Sequence, residues 1–250
     1  MHVSARGNGP RPWLWAGLIY AALTILFTYP LPFQIGTRVL EGGTDPELWM
    51  WTLSWATHAF VHQPFAIFDA NIFYPLRHTL AYSESLVGSA FIAAPVLWLT
   101  GNPVLALNLI EVLSAFLCAC GAYFLARRVG LRPTSAFVVG LVFGFSPARF
   151  LRIDQFHLTT IQWMPFSLAF LHSYFDGGRR RDLHLAAAFF TLQALTSGHG
   201  AVFLLVASVT LVAYRLVTGD PLAFRRRLSD LGVIGVLLLL PAALAYLPYR

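Results

Sequence analysis

The residues of this chain that could do chemistry fall in a few short polar segments between long apolar runs. Asp45 comes first, in Gly43-Thr-Asp-Pro-Glu47. A capping Thr44, a proline in the first turn and acids near the positive dipole end read as a helix start. A carboxylate held there serves either as a cap, or as a general base or metal ligand. The second segment is Pro147-Ala-Arg-Phe-Leu-Arg-Ile-Asp-Gln-Phe-His157. Its Arg149 and Arg152 suit a phosphate, which accepts paired charge-assisted hydrogen bonds from a guanidinium. Its Asp154 and His157 are three apart and share a face if the segment is helical. Together with Asp45 they form a candidate set for a divalent metal. The plainer alternative is a solvated loop with internal Arg–Asp pairs. Glu84, in the same long loop as Asp45, and His199, in Ser197-Gly-His-Gly200, are supporting candidates.

Other polar residues stand inside apolar runs. Glu111 is the costliest, because an ionisable group within a membrane span is normally functional. Asn108 lies one turn from it, and Gln162 and Gln193 also fall toward one end of their runs. They point to an outward-facing polar cavity, or to interhelical hydrogen bonds that hold a bundle together. His58 and His62, one turn apart, read as a metal pair or as interfacial polar contacts.

The elements that must position these groups follow from composition. The chain of 250 residues is 57% hydrophobic and 11% charged. A soluble domain carries roughly 25% charged residues, so lipid is the expected solvent. The expected fold is all-α: a single polytopic transmembrane helix bundle over residues 1–250. Seven spans fall near residues 13–31, 103–126, 134–146, 158–175, 183–197, 201–217 and 228–247. The first run follows Arg6 and Arg11 but lacks a small-residue cleavage site, so it reads as a retained anchor. Cys118 and Cys120 sit two apart in one span, on different faces, so neither a disulfide nor a metal site is expected of them.

All 17 basic residues are arginine. With the apolar stretch 85–100 left outside the count of crossings, twelve arginines fall on the side of the N-terminus and five on the other. If that stretch crosses and the N-terminus stays cytoplasmic, only five fall on the side of the N-terminus and twelve on the other. The positive-inside rule therefore favours a cytoplasmic N-terminus, seven crossings and a long external loop over residues 32–102 in a plasma (inner) membrane. The pI of 9.7 reflects these flanking arginines, not a surface for nucleic acid. Within the long loop, a helix through about Val61 carries Trp49, Trp51 and Trp55, and is expected to lie at the headgroup level. The chain stops at Pro248-Tyr-Arg250, straight after an apolar span, and reads as part of something longer.

The pattern resembles the GT-C superfamily of integral-membrane glycosyltransferases, in a largely uncharacterised bacterial branch. Asp45 in Gly43-Thr-Asp-Pro-Glu47 matches the family's acidic residue after the first span. Asp154 in Arg152-Ile-Asp-Gln-Phe-His157 lies in the loop of its second acidic motif. Asn71-Ile-Phe-Tyr-Pro75, Thr79-Leu-Ala-Tyr-Ser-Glu84 and Gly101-Asn-Pro103 extend the likeness. No Asp-Glu or Asp-x-Asp doublet is present. The resemblance implies external juxtamembrane helices in the first loop and transfer of a sugar from a polyprenyl-phosphate donor at the extracytoplasmic face. It makes Asp45 the catalytic residue, with membrane lipid as the surrounding partner. The competing classes are a lipid or sugar-lipid transporter and a non-catalytic membrane subunit. Polar residues confined to the outer halves of the spans favour chemistry over a transport path. P-loop, dinucleotide, nucleophile-elbow and HExxH motifs are absent from the sequence.

Overall fold

A computed structural model describes residues 12–40, 45–177, 179–218 and 221–249. For residues 221–227, 237, 238, 241 and 245, only the backbone is described. The fold is all-helical, with no strand among the described residues. In chain order the helices are α1 (Pro12–Phe27), α2 (Asp45–His62), α3 (Val87–Thr100), α4 (Pro103–Arg128) and α5 (Pro133–Phe145). Two four-residue turns of helix follow, α6 (Pro147–Phe150) and α7 (Phe156–Thr159). Then come α8 (Met164–Gly177), α9 (Arg180–Thr196), α10 (Gly198–Thr218) and α11 (Pro221–Ala245). Two of these, α4 and α10, are long and apolar enough to cross a membrane. Large apolar side chains face outward along α1 (Leu18, Leu26), α5 (Val142), α10 (Phe203, Val206) and α11 (Val236).

Helix ends follow the local chemistry. Gly101 takes a left-handed φ of 65° to end α3, and its N–H reaches Leu97 O at 2.9 Å. Asn102 then caps α4, accepting from Leu105 N at 3.0 Å, with Pro103 in the first turn. Gly101-Asn-Pro103 is thus a complete turn between two helices. Thr44, the residue expected to cap α2, and the arginines at 6, 11, 225–227 and 250 lie outside the described residues or side chains.

Three clusters of buried apolar residues hold the molecule. One joins α2, α3 and the first half of α4 around Leu53, Ala90, Leu107 and Phe156. The second joins α1, α4 and α5 around Tyr20, Ala119 and Ala136. Gly140 and Gly144 let α5 lie against Ala119: a Cβ on Gly144 would stand 2.6 Å from Ala119 Cβ. This is the small-residue spacing of close helix pairs. The third cluster joins α8, α9 and α11 around Tyr174, Leu183 and Ile234.

The two ends of the bundle differ in charge. The arginine-rich end consumes its acids in ion pairs: Arg180–Asp230 at 2.7 Å, Arg215–Asp176 at 2.7 Å and Arg179–Asp182 at 3.0 Å. At the opposite end, Asp45 and Asp154 form no ion pair among the described residues.

Helix α2 packs one face against the bundle and leaves Glu47, Leu48, His58, Val61 and His62 exposed on the other. Trp49 is buried in the first cluster, and its indole donates to Asp154 O at 2.9 Å. The segment after α5 is exposed at Pro147, Ala148, Leu151 and Arg152 and buried at Phe156 and Thr159, and it forms no internal Arg–Asp ion pair among the described residues. Pro147 ends α5, and the chain turns inward, where Ser114 Oγ meets Thr159 O at 3.0 Å. Ser114 lies about 16 Å along α4 from Pro103, at 1.5 Å per residue, so the end of this segment reaches well into the bundle.

Candidate functional site

Glu84 and His199 organise the acidic end. The turn Thr79–Tyr82 delivers Glu84 to the first turn of α10. Its Oε2 accepts from Gly198 N at 2.8 Å, and its Oε1 accepts from His199 N at 3.3 Å. The same Oε1 meets His199 Nδ1 at 2.6 Å. A carboxylate is favoured there because the open N–H groups and the helix dipole both suit negative charge. Since an ionised carboxylate only accepts, Nδ1 carries the proton and Nε2 is left as an acceptor on neutral His199. Tyr249 braces the segment from outside: Ser85 N donates to its hydroxyl at 3.0 Å, and that hydroxyl donates to Ser83 O at 3.1 Å.

His157 stands beside this pair. Its ring centroid is 5.0 Å from that of His199 and 5.1 Å from that of Trp49. Burial lowers its pKa below the ordinary value of 6.5, and His199 adds to the lowering. The charges of Glu84, Asp45 and Asp154 pull the other way. Its Nδ1 is buried and meets no hydrogen-bond partner among the described residues. Asp45 lies one turn before Trp49 on the same face of α2. Five of the expected site residues, Asp45, Glu84, Asp154, His157 and His199, therefore share one electrostatic neighbourhood. A cavity of about 530 Å³ opens among Trp49, Tyr82, Glu84, His157, His199 and Tyr249.

Arg149 and Arg152 lie on the other side of the same segment. With Val138, Val142, Leu158 and Ile161 they line a separate groove of about 600 Å³ along α5. Arg149 turns inward, donating to Ser114 Oγ at 2.9 Å and to Cys118 Sγ at 3.3 Å. Its charge also acts on Glu111, one turn along α4 from Ser114. Arg152 is more exposed and donates to Gln155 Oε1 at 3.0 Å.

Several residues prove to be clamps. Asn108 donates to Ile35 O and Arg38 O, both at 2.7 Å. Gln162 accepts from Ser114 Oγ at 2.8 Å, and Gln193 donates to Thr160 O at 3.0 Å. These buried amides cross-link elements instead of lining an opening. Asp69 accepts from His78 N at 2.8 Å and holds its own loop. His58 and His62 stack with ring centroids 4.1 Å apart. Among the described residues no three His, Cys, Asp or Glu side chains are placed to hold a metal ion, so the expected set of Asp45, Asp154 and His157 does not form one.

Tyr82, Tyr246 and Tyr249 complete the acidic-end pocket, and residue type and spacing single out none of the three. Their one signal in the sequence is aromatic enrichment beside Glu84 and at the end of α11. No known protein family, curated protein or solved structure matches this chain.

Proposed function

We propose that the protein is a multi-pass plasma-membrane glycosyltransferase acting at the extracytoplasmic face, with a polyprenyl-phosphate sugar as donor. One observation carries the reading. The short segment 147–159 presents arginines to an apolar groove on one side and His157 to a pocket lined by Glu84 and His199 on the other. A lipid-linked phosphate needs an apolar channel ending in cations, and a transferred sugar needs hydrogen-bonding groups beside it.

In this reading α1, α4, α5 and α8–α11 cross the bilayer, α3 does not, and the N-terminus is cytoplasmic. The donor's tail lies along α5, and its phosphate is held by Arg152 with Arg149 behind it. The acceptor hydroxyl attacks the anomeric carbon, and the bond from that carbon to the phosphate oxygen breaks. The phosphate leaves with the electron pair, stabilised by the arginines. The hydroxyl proton passes to a carboxylate, assigned to Asp45. Glu84, Asp154 and His157 fix the surrounding field, and Glu111 stands within reach of the Arg149 charge. A divalent metal is a candidate cofactor, since one or two carboxylates such as Asp45 and Asp154 together with a substrate phosphate and water suffice to hold one.

The test is transfer of radiolabelled sugar from a polyprenyl-phosphate donor in membranes containing the protein. Transfer above that of membranes lacking it is expected. Donor turnover equal in both sinks the reading.

A further inference from the structure

The pocket between α2, α7 and α10 has a chemistry of its own. Its walls are aromatic: Trp49, Tyr82, Phe203, Tyr246 and Tyr249 surround Glu84, His157 and His199. Its polar groups converge on one side. Glu84 uses Oε2 for a single backbone N–H, leaving acceptor capacity on that oxygen. With Nδ1 occupied by Glu84, His199 offers Nε2, and the residue is 60% exposed at the mouth. Aromatic faces with a few convergent acceptors define a pocket for a ring that is apolar on its faces and hydroxylated on its edges. The net field is acidic, since Asp45 and Asp154 act on the same imidazole as Glu84. A phosphate or carboxylate is repelled there, whereas the arginines line the separate groove.

We infer that this cavity is a binding site for an uncharged, hydroxyl-rich ring, a neutral sugar or polyol, held by Glu84 and His199 between the aromatic walls. It rests on the glycosyltransferase reading only in making that ring the acceptor. The cavity of about 530 Å³ takes one or two hexose rings.

The test needs no transfer reaction. The purified chain in detergent is treated with diethyl pyrocarbonate, and peptide mass spectrometry reads the carbethoxylation rate of each histidine. Methyl glycosides of glucose, galactose, mannose and arabinose serve as neutral probes, and glucose 6-phosphate as the anionic one. At least one neutral glycoside, at tens of millimolar, is expected to slow modification of His199 several-fold. His62 and His78, both exposed and outside the pocket, should react at unchanged rates. Glu84→Gln keeps an oxygen for Gly198 N and should abolish the protection. Tyr82→Ala, at a rim residue 60% exposed, should weaken it without affecting the helical circular dichroism. Unprotected His199 with all four glycosides overturns the site. Equal protection by glucose 6-phosphate overturns the claim of neutrality. Retained protection in both variants overturns the residue assignment. Each of these failures is independent of donor turnover in membranes, which tests the enzyme reading on its own.

Discussion

Glu84 and His199, 115 residues apart in sequence, meet at 2.6 Å, and the carboxylate also accepts the first two backbone N–H groups of α10. The contact makes the long loop between α1 and α4 a structural part of the second half of the bundle. Glu84 is 15% exposed at its side chain, so these bonds are only partly screened.

Glu84→Gln keeps the shape and removes the charge. A hydrogen bond to a charged group contributes about 1.5–3 kcal/mol. Loss of the helix-dipole term adds about 0.3–1 kcal/mol. Residues 79–86 should then exchange amide hydrogens faster, while α4 and α5 keep their protection. Hydrogen-exchange mass spectrometry makes the comparison. Unchanged exchange at 79–86 shows that the segment is anchored without the Glu84 charge.

The two arginines should separate cleanly. Arg149 bonds to Ser114 and Cys118 inside the bundle, so Arg149→Gln should lower the melting temperature in detergent. Arg152 bonds to Gln155 near the surface, so Arg152→Gln should leave melting unchanged while weakening binding of a polyprenyl-phosphate probe roughly tenfold or more. If Arg152→Gln binds the probe as wild type does, the groove along α5 is not the phosphate site.

Much of the helical frame is legible from the apolar runs. Spans are expected over residues 134–146 and 183–197, and the helices found are Pro133–Phe145 and Arg180–Thr196. Prolines 133 and 147 fix the ends of α5, because a proline starts a helix well and cannot continue one. The start of α8 is not legible. Residues 158–163 mix Leu158, Ile161 and Trp163 with Thr159, Thr160 and Gln162, and they form the end of α7 and a turn, so a span drawn through them starts the helix six residues early. The partner of Trp49 is not legible for a related reason. An indole suits an interface or a core equally well, and its deciding partner, Asp154 O, lies 105 residues away. Asp45, Asp154 and His157 stand out by residue type and spacing. Their convergence with Glu84 and His199 requires the fold.

Close packing of α3 on α9 should tolerate no side chain at Gly88. A Cβ there would stand 2.8 Å from Thr196 N and 2.9 Å from Leu195 C, both backbone atoms that cannot rotate away. Overpacking of this kind costs about 1–3 kcal/mol. Gly88→Ala should lower the melting temperature, whereas Gly17→Ala, with open space around its Cβ, should not. Equal melting of the two variants contradicts the α3–α9 contact.

Stability should depend on pH through His157. Burial holds its folded pKa below 6.5, so above that pH the imidazole is neutral in both folded and unfolded chains. As pH falls below about 6.5, the unfolded chain takes up the proton first, and stability is lost progressively toward the lower folded pKa. The thermal midpoint should therefore decline below about pH 6.5, the ordinary histidine value, and His157→Gln should flatten that decline. A slope identical in the variant assigns the acid sensitivity to another group.

Asp45 bears most of the enzyme reading. It is half-buried in the first turn of α2, one turn from Trp49, and its charge reaches His157. If it serves only the helix start, Asp45→Asn should be nearly harmless, because asparagine suits helix N-termini about as well as aspartate. If it takes the acceptor's proton, the same change removes the base and keeps the shape. Transfer from the radiolabelled donor should then fall by roughly 10²–10⁴-fold at equal expression. Neutral-glycoside protection of His199 should persist in this variant, since Glu84 and the aromatic walls are intact. Wild-type transfer by Asp45→Asn removes the base from this residue and leaves Glu84 and His199 as the only paired acid and imidazole among the described residues of the pocket.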